Sequence, residues 1–99
     1  MNNEAIKKIA DKYGYDAQSR QCIEEMAELT VALNKYHRIT NDVHYAYEHR
    51  KCIENIKEEI ADVMIMLEQM KYLLNIYEDD IETIINRKIQ RQLERIENK

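Results

Sequence analysis

Two short acidic runs hold the residue types best suited to chemistry in this 99-residue chain: Glu24-Glu25-Met26-Ala27-Glu28 and Glu58-Glu59-Ile60-Ala61-Asp62. Each places one carboxylate three positions after another within a stretch of helical apolar spacing, so the two acids of a pair share a face. With about 100° per residue, Glu28 falls about 60° to one side of Glu25. The apolar stripe Cys22, Met26, Leu29, Leu33 and Tyr36 lies to the other side. Asp62 stands in the same relation to Glu59 and its own stripe. A twofold axis perpendicular to the plane of two antiparallel helices exchanges them. Equal offsets therefore bring both pairs to one side of the seam wherever their axial levels agree.

Four carboxylates beside an apolar wall repel one another and hold raised pKa values unless a cation neutralises them. An all-oxygen set without His or Cys suits a hard ion, Mg²⁺ or Mn²⁺. In a chain with nineteen acids, one such pair reads as solvated helix acids; the matched phase of two pairs makes a shared site an equal alternative to that reading. A di-iron carboxylate bundle needs Glu-x-x-His on two helices. The residues three before His37, His44 and His49 are Asn34, Asn41 and Ala46, which excludes it.

The elements that must position these acids are helical. Proline is absent and Gly14 is the single glycine, so the chain lacks the turn chemistry of sheets and is rich in helix formers. The fold class expected is an all-α four-helix bundle in one domain, 1–99, completed by oligomerisation, since a chain this short buries only a modest core. A net charge of −4 argues against a dedicated nucleic-acid binder. Cys22 and Cys52 have no metal-like spacing and read as buried, reduced thiols. With no membrane-length apolar run and no signal-peptide core at the N-terminus, the expected setting is the cytoplasm.

In chain order, residues 3–13 predict a short helix with Ile6, Ile9 and Ala10 inward and Gly14 as its C-cap. A second helix spans 17–37 with Asp16 as N-cap. Ile23, Ala27 and Val31 form a second apolar line on it, which suggests two neighbours. Residues 38–43 break the pattern, and the spacer 37–51 is left open between helix and loop. The third helix covers 52–75, with Cys52, Ile56, Ile60, Val63, Leu67 and Leu74 in its stripe. Asp79 and Glu82 resemble a capping box at the start of the last helix, 80–96. There Ile81, Ile85, Ile89, Leu93 and Ile96 face inward, and Arg87, Lys88, Arg91 and Arg95 form a basic face. Aromatic faces stack on bases, which makes His37, Tyr45 and Tyr47 candidates for base recognition, with Tyr36 placed in the core.

Glu24-Glu25-x-x-Glu28 followed by Glu59-x-x-Asp62, with Asn86-x-Lys88 and then Arg91 in the last helix, resembles the MazG-like all-α nucleoside triphosphate pyrophosphohydrolases over roughly residues 17–97. The resemblance implies that Glu25, Glu28, Glu59 and Asp62 hold Mg²⁺, with Mn²⁺ as a substitute. It implies catalytic work for Glu24 and Glu25, Glu24 either joining the metal shell or acting on the attacking water. It assigns the triphosphate to Asn86, Lys88 and Arg91. Two departures stand out: the spacer between the acidic pairs is long for the family, and Gln92 occupies a position where some members carry a second arginine. The activity implied is hydrolysis of a nucleoside or deoxynucleoside triphosphate to monophosphate and pyrophosphate, in a house-cleaning role, by a homodimer or homotetramer. The alternative reading is a non-catalytic helical oligomerisation or regulatory module whose acids only solubilise it.

Overall fold

The structure, a computed structural model, describes residues 1–39 and 46–98. All its regular elements are helices: α1 (Asn3–Arg38), α2 (Ala46–Leu73) and α3 (Glu78–Glu97). The Asn2 side chain caps α1 by accepting from the Ala5 amide at 3.1 Å, which satisfies one of the amides a helix start leaves without a partner.

Gly14 interrupts the helix where the sequence places the end of its first segment. It kinks α1 at φ 83°, ψ 169°, and the helix resumes at once, leaving Asp16 inside α1 and not at an N-cap. That backbone region is essentially restricted to glycine and costs other residues about 1–3 kcal/mol. A Cβ at Gly14 meets nothing within 4 Å, so the penalty is conformational alone. Gly14→Ala should lower unfolding stability by about 1–3 kcal/mol in urea denaturation; an unchanged midpoint would contradict the kink. The segment before the kink is tied to α2 by the Tyr72 hydroxyl, which donates to the Asp11 carboxylate at 2.8 Å. Ile6 and Ala10 are buried beneath it, while Ile9 is exposed.

From the kink onward α1 packs along α2 as an antiparallel hairpin, and these two are the helices in extensive contact. The seam residues of α1 are Gln18, Cys22, Leu29 and Ala32; those of α2 are Cys52, Ile56, Val63, Met66 and Gln69. Both follow the alternating three- and four-residue spacing of facing helices. Buried Gln18 donates to buried Gln69 at 2.7 Å, so the seam carries a satisfied polar pair that the apolar spacing did not reveal. Cys22 and Cys52 are buried and free, as expected.

Several inward assignments are corrected. Met26 and Leu33 of α1, and Ile60 and Leu67 of α2, are exposed. Leu29, Ile56, Val63 and Met66 share the seam with small and polar residues, and these four other apolar residues lie beside it. Tyr36 is not core; it is partly exposed and meets His49 edge-on at 5.3 Å between ring centroids. The spacer is helical from Ala46, and Thr40 to Tyr45 lie outside the described residues. Tyr77, without a side-chain cap hydrogen bond, begins α3, so the expected capping box does not form.

The largest departure concerns α3. None of its described residues is buried, and the single chain is a hairpin with an arm, not a closed four-helix bundle. The radius of gyration is 17.4 Å, against about 13 Å for a compact 100-residue domain. The arm's direction is set at a tight elbow. Asn75 takes φ 56°, Ile76 N–H donates to Lys71 C=O at 2.9 Å and Asn75 N–H to Tyr72 C=O at 3.2 Å, the two bonds of a Schellman C-cap. Lys71 then bridges Glu68 on α2 and Glu78 on α3.

Candidate metal centre

The axial levels left open by the sequence are fixed by the hairpin register. Seven residues inward from the Gln18–Gln69 hydrogen bond, α1 reaches Glu25 and α2 reaches Asp62. Three further, the two helices reach Glu28 and Glu59. The acidic pairs therefore face each other across the seam. Oxygens of Glu25, Glu59 and Asp62 all lie within 4.8 Å of one another. Glu28 lies outside that group but within its electrostatic reach: its carboxyl is pushed above the usual carboxylate range, chiefly by the Glu25 charge, then by partial desolvation and the charge of Glu59. Glu24 acts on Glu28 from the outer side as a further negative charge.

Glu25 and Glu59 are half-buried because each occupies a position in the seam's own spacing. Gln21 Nε2 donates to Glu25 Oε1 at 2.7 Å. Glu25 Oε2 and Glu59 Oε2 are shut off from solvent with no hydrogen-bond partner. A buried charged oxygen without a partner costs several kcal/mol in a protein interior, on the order of the penalty that makes such groups pair or bind a metal. Among the described residues, no lysine or arginine pairs with any of the four acids.

This donor set fits a hard divalent cation. One oxygen each from Glu25, Glu59 and Asp62 lie within 4.8 Å of one another, close to the roughly 4.2 Å between opposite ligands around Mg²⁺. The orphaned oxygens of Glu25 and Glu59 are the atoms such an ion would satisfy.

Glu28 also sets a pH dependence. Its raised pKa means that the folded, metal-free chain holds this proton more tightly than the unfolded chain does. Ionisation therefore destabilises the fold progressively as pH rises from the ordinary 4.5 through the raised value, fully so above it, and acidification relieves the cost. In chelator-treated protein, melting temperature should fall less steeply above pH 4.5 in Glu28→Gln than in the parent; parallel curves would contradict the crowding.

The other sequence-derived candidates are not gathered here. Asn86, Lys88 and Arg91 are exposed on α3, which does not pack along the cluster in the same chain. His37 is exposed near the end of α1. Tyr47 lies twelve residues before Glu59, with Lys51 Nζ 5.3 Å from its ring centroid. Tyr45 lies outside the described residues. No family model, curated protein or solved structure matches the chain. Among the described residues, no helix is long and apolar enough to cross a membrane.

Proposed function

We propose that the chain is a Mg²⁺-dependent pyrophosphohydrolase that cleaves a nucleoside or deoxynucleoside triphosphate between its α and β phosphates, giving the monophosphate and pyrophosphate. The observation that carries this reading is the pair of solvent-shielded, unpartnered oxygens on Glu25 and Glu59, within a group of acids contributed by both helices. The resemblance of Glu25-x-x-Glu28, Glu59-x-x-Asp62 and the Asn86, Lys88, Arg91 element to the MazG-like enzymes supplies the reaction class.

In this reading Glu25, Glu28, Glu59 and Asp62 hold the ion. The bound metal neutralises phosphate charge and lowers the pKa of water. Glu24, exposed beside the cluster, takes a proton from the attacking water in this proposal. Asn86, Lys88 and Arg91 bind the outer phosphates and stabilise charge on the departing pyrophosphate. His37, Tyr45 and Tyr47 are proposed to meet the base. The working unit is a homodimer or homotetramer, a reading supported by the open shape of the chain and the uncovered apolar residues of all three helices.

A purely oligomeric, non-catalytic module accounts for the uncovered face of α3 and leaves the orphaned oxygens unexplained. Product identity separates the readings. ³¹P NMR of a triphosphate incubated with protein and Mg²⁺ should show pyrophosphate and monophosphate. Orthophosphate with diphosphate, or an unchanged spectrum across all common bases, would sink the proposed activity.

A further inference from the structure

The two oxygens of Glu25 have unlike surroundings. Oε1 accepts from Gln21 Nε2 at 2.7 Å, and Gln21 is exposed. Oε2 is shut off from solvent and accepts from nothing. The carboxylate is thus turned with one oxygen outward to Gln21 and the other inward. Gln21 stands four residues before Glu25 on α1, the spacing at which side chains one turn apart meet. Its carboxamide donates a hydrogen bond without bringing charge. A lysine or arginine in that place would neutralise Glu25 and compete with a cation. Gln21 orients the acid and leaves its negative charge to the ion.

This orientation bears on which ion the centre prefers. Mg²⁺ demands near-ideal octahedral geometry at about 2.0–2.1 Å, which sets neighbouring ligands about 2.9 Å apart. The two oxygens of one carboxylate are closer together than that, so a carboxylate suits Mg²⁺ best through a single oxygen. Ca²⁺ takes more oxygens at about 2.3–2.6 Å and accepts a carboxylate through one oxygen or both. For Glu25 to grip an ion with both oxygens, Oε1 must swing inward and leave Gln21. The hydrogen bond opposes that movement and leaves the inward Oε2 in place.

We propose that Gln21 is a positioning residue that holds Glu25 to one inward oxygen and thereby makes the acidic centre select Mg²⁺ over Ca²⁺. This rests on the proposed metal site and adds to it the group that sets its choice of ion.

Metal titration of two variants tests it. Gln21→Met keeps the length of the side chain and loses the donor; Gln21→Ala loses both. Gln21 is exposed, so neither change removes a residue of the seam. Calorimetric titration of each full chain with MgCl₂ and with CaCl₂, without nucleotide, reads the two dissociation constants. Losing a hydrogen-bonded partner of a metal ligand costs about 10–100-fold in affinity. Mg²⁺ should weaken by that factor in both variants and Ca²⁺ by less, so that the parent's preference for Mg²⁺ shrinks by about tenfold or more. A role confined to helix stability would leave the ratio of the two constants unchanged. Either variant with the parent's ratio, or a parent that prefers Ca²⁺, would overturn the proposal and leave the metal site standing. A parent that binds neither ion would remove the metal site and this inference together. A shifted ratio in a protein whose parent releases no pyrophosphate would remove the proposed hydrolysis and leave the role of Gln21 intact.

Discussion

Glu59→Gln should abolish Mg²⁺-dependent pyrophosphate release while leaving a folded protein. Glu59 sits in the hairpin seam with one oxygen shielded and unpartnered, and its amide replacement keeps the shape while removing charge. Changes to outer partners of metal ligands typically cost about 10–100-fold, so loss of a direct ligand should cost at least about 100-fold in kcat/KM. Stability should move separately. At Mg²⁺ a hundredfold above its dissociation constant, binding stabilises the parent by about 2.7 kcal/mol. At about 4–8 °C per kcal/mol for a chain of this size, that raises the melting temperature by about 10–20 °C. Glu59→Gln should show little of that rise, yet melt no lower than the parent in chelator, because one member of a repelling cluster has been neutralised. A variant that keeps both the Mg²⁺-induced rise and the activity would remove Glu59 from the site.

Ile89→Asp should split the oligomer. Ile89 lies mid-stripe on α3, exposed in the single chain, and touches nothing that the hairpin needs in order to fold. Burying an isoleucine contributes about 1.5–3 kcal/mol. A twofold interface contains the change twice, so the cost is about 3–6 kcal/mol, or about a 10²–10⁴-fold weaker dimer. Sedimentation at micromolar concentration should then report a monomer with its helical circular dichroism retained. An Ile89→Asp chain of unaltered mass would show that the arm is not part of the interface.

The acidic centre was legible because helix phase is a property of residue spacing. Equal offsets of Glu28 from Glu25 and of Asp62 from Glu59 placed both pairs on one side, and the hairpin register brought them to the same levels. The seam was less legible. Cys22, Leu29, Cys52, Ile56 and Val63 fill it as their spacing predicts, but Ala32, Met66 and the Gln18–Gln69 pair share it in place of other apolar residues of the stripes. Small residues allow close approach of α1 and α2, leaving Met26, Leu33, Ile60 and Leu67 for a different contact. For the same reason the inward face expected for α3 is exposed here: an amphipathic pattern states that a face needs cover and does not state which chain supplies it. Gly14 was recognised as a break, but only its φ of 83° and ψ of 169° distinguish a kink from a cap.

The central claim is that the four-acid centre holds a divalent cation and uses it to open a triphosphate. The most direct measurement is pyrophosphate release over a panel of ribo- and deoxyribonucleoside triphosphates, with chelator, Mg²⁺ or Mn²⁺, alongside thermal melting in each condition. Release from at least one triphosphate that depends on Mg²⁺ or Mn²⁺, accompanied by a metal-induced rise in melting temperature, is the predicted result. A chain that releases no pyrophosphate from any member and melts identically with and without metal would contradict it.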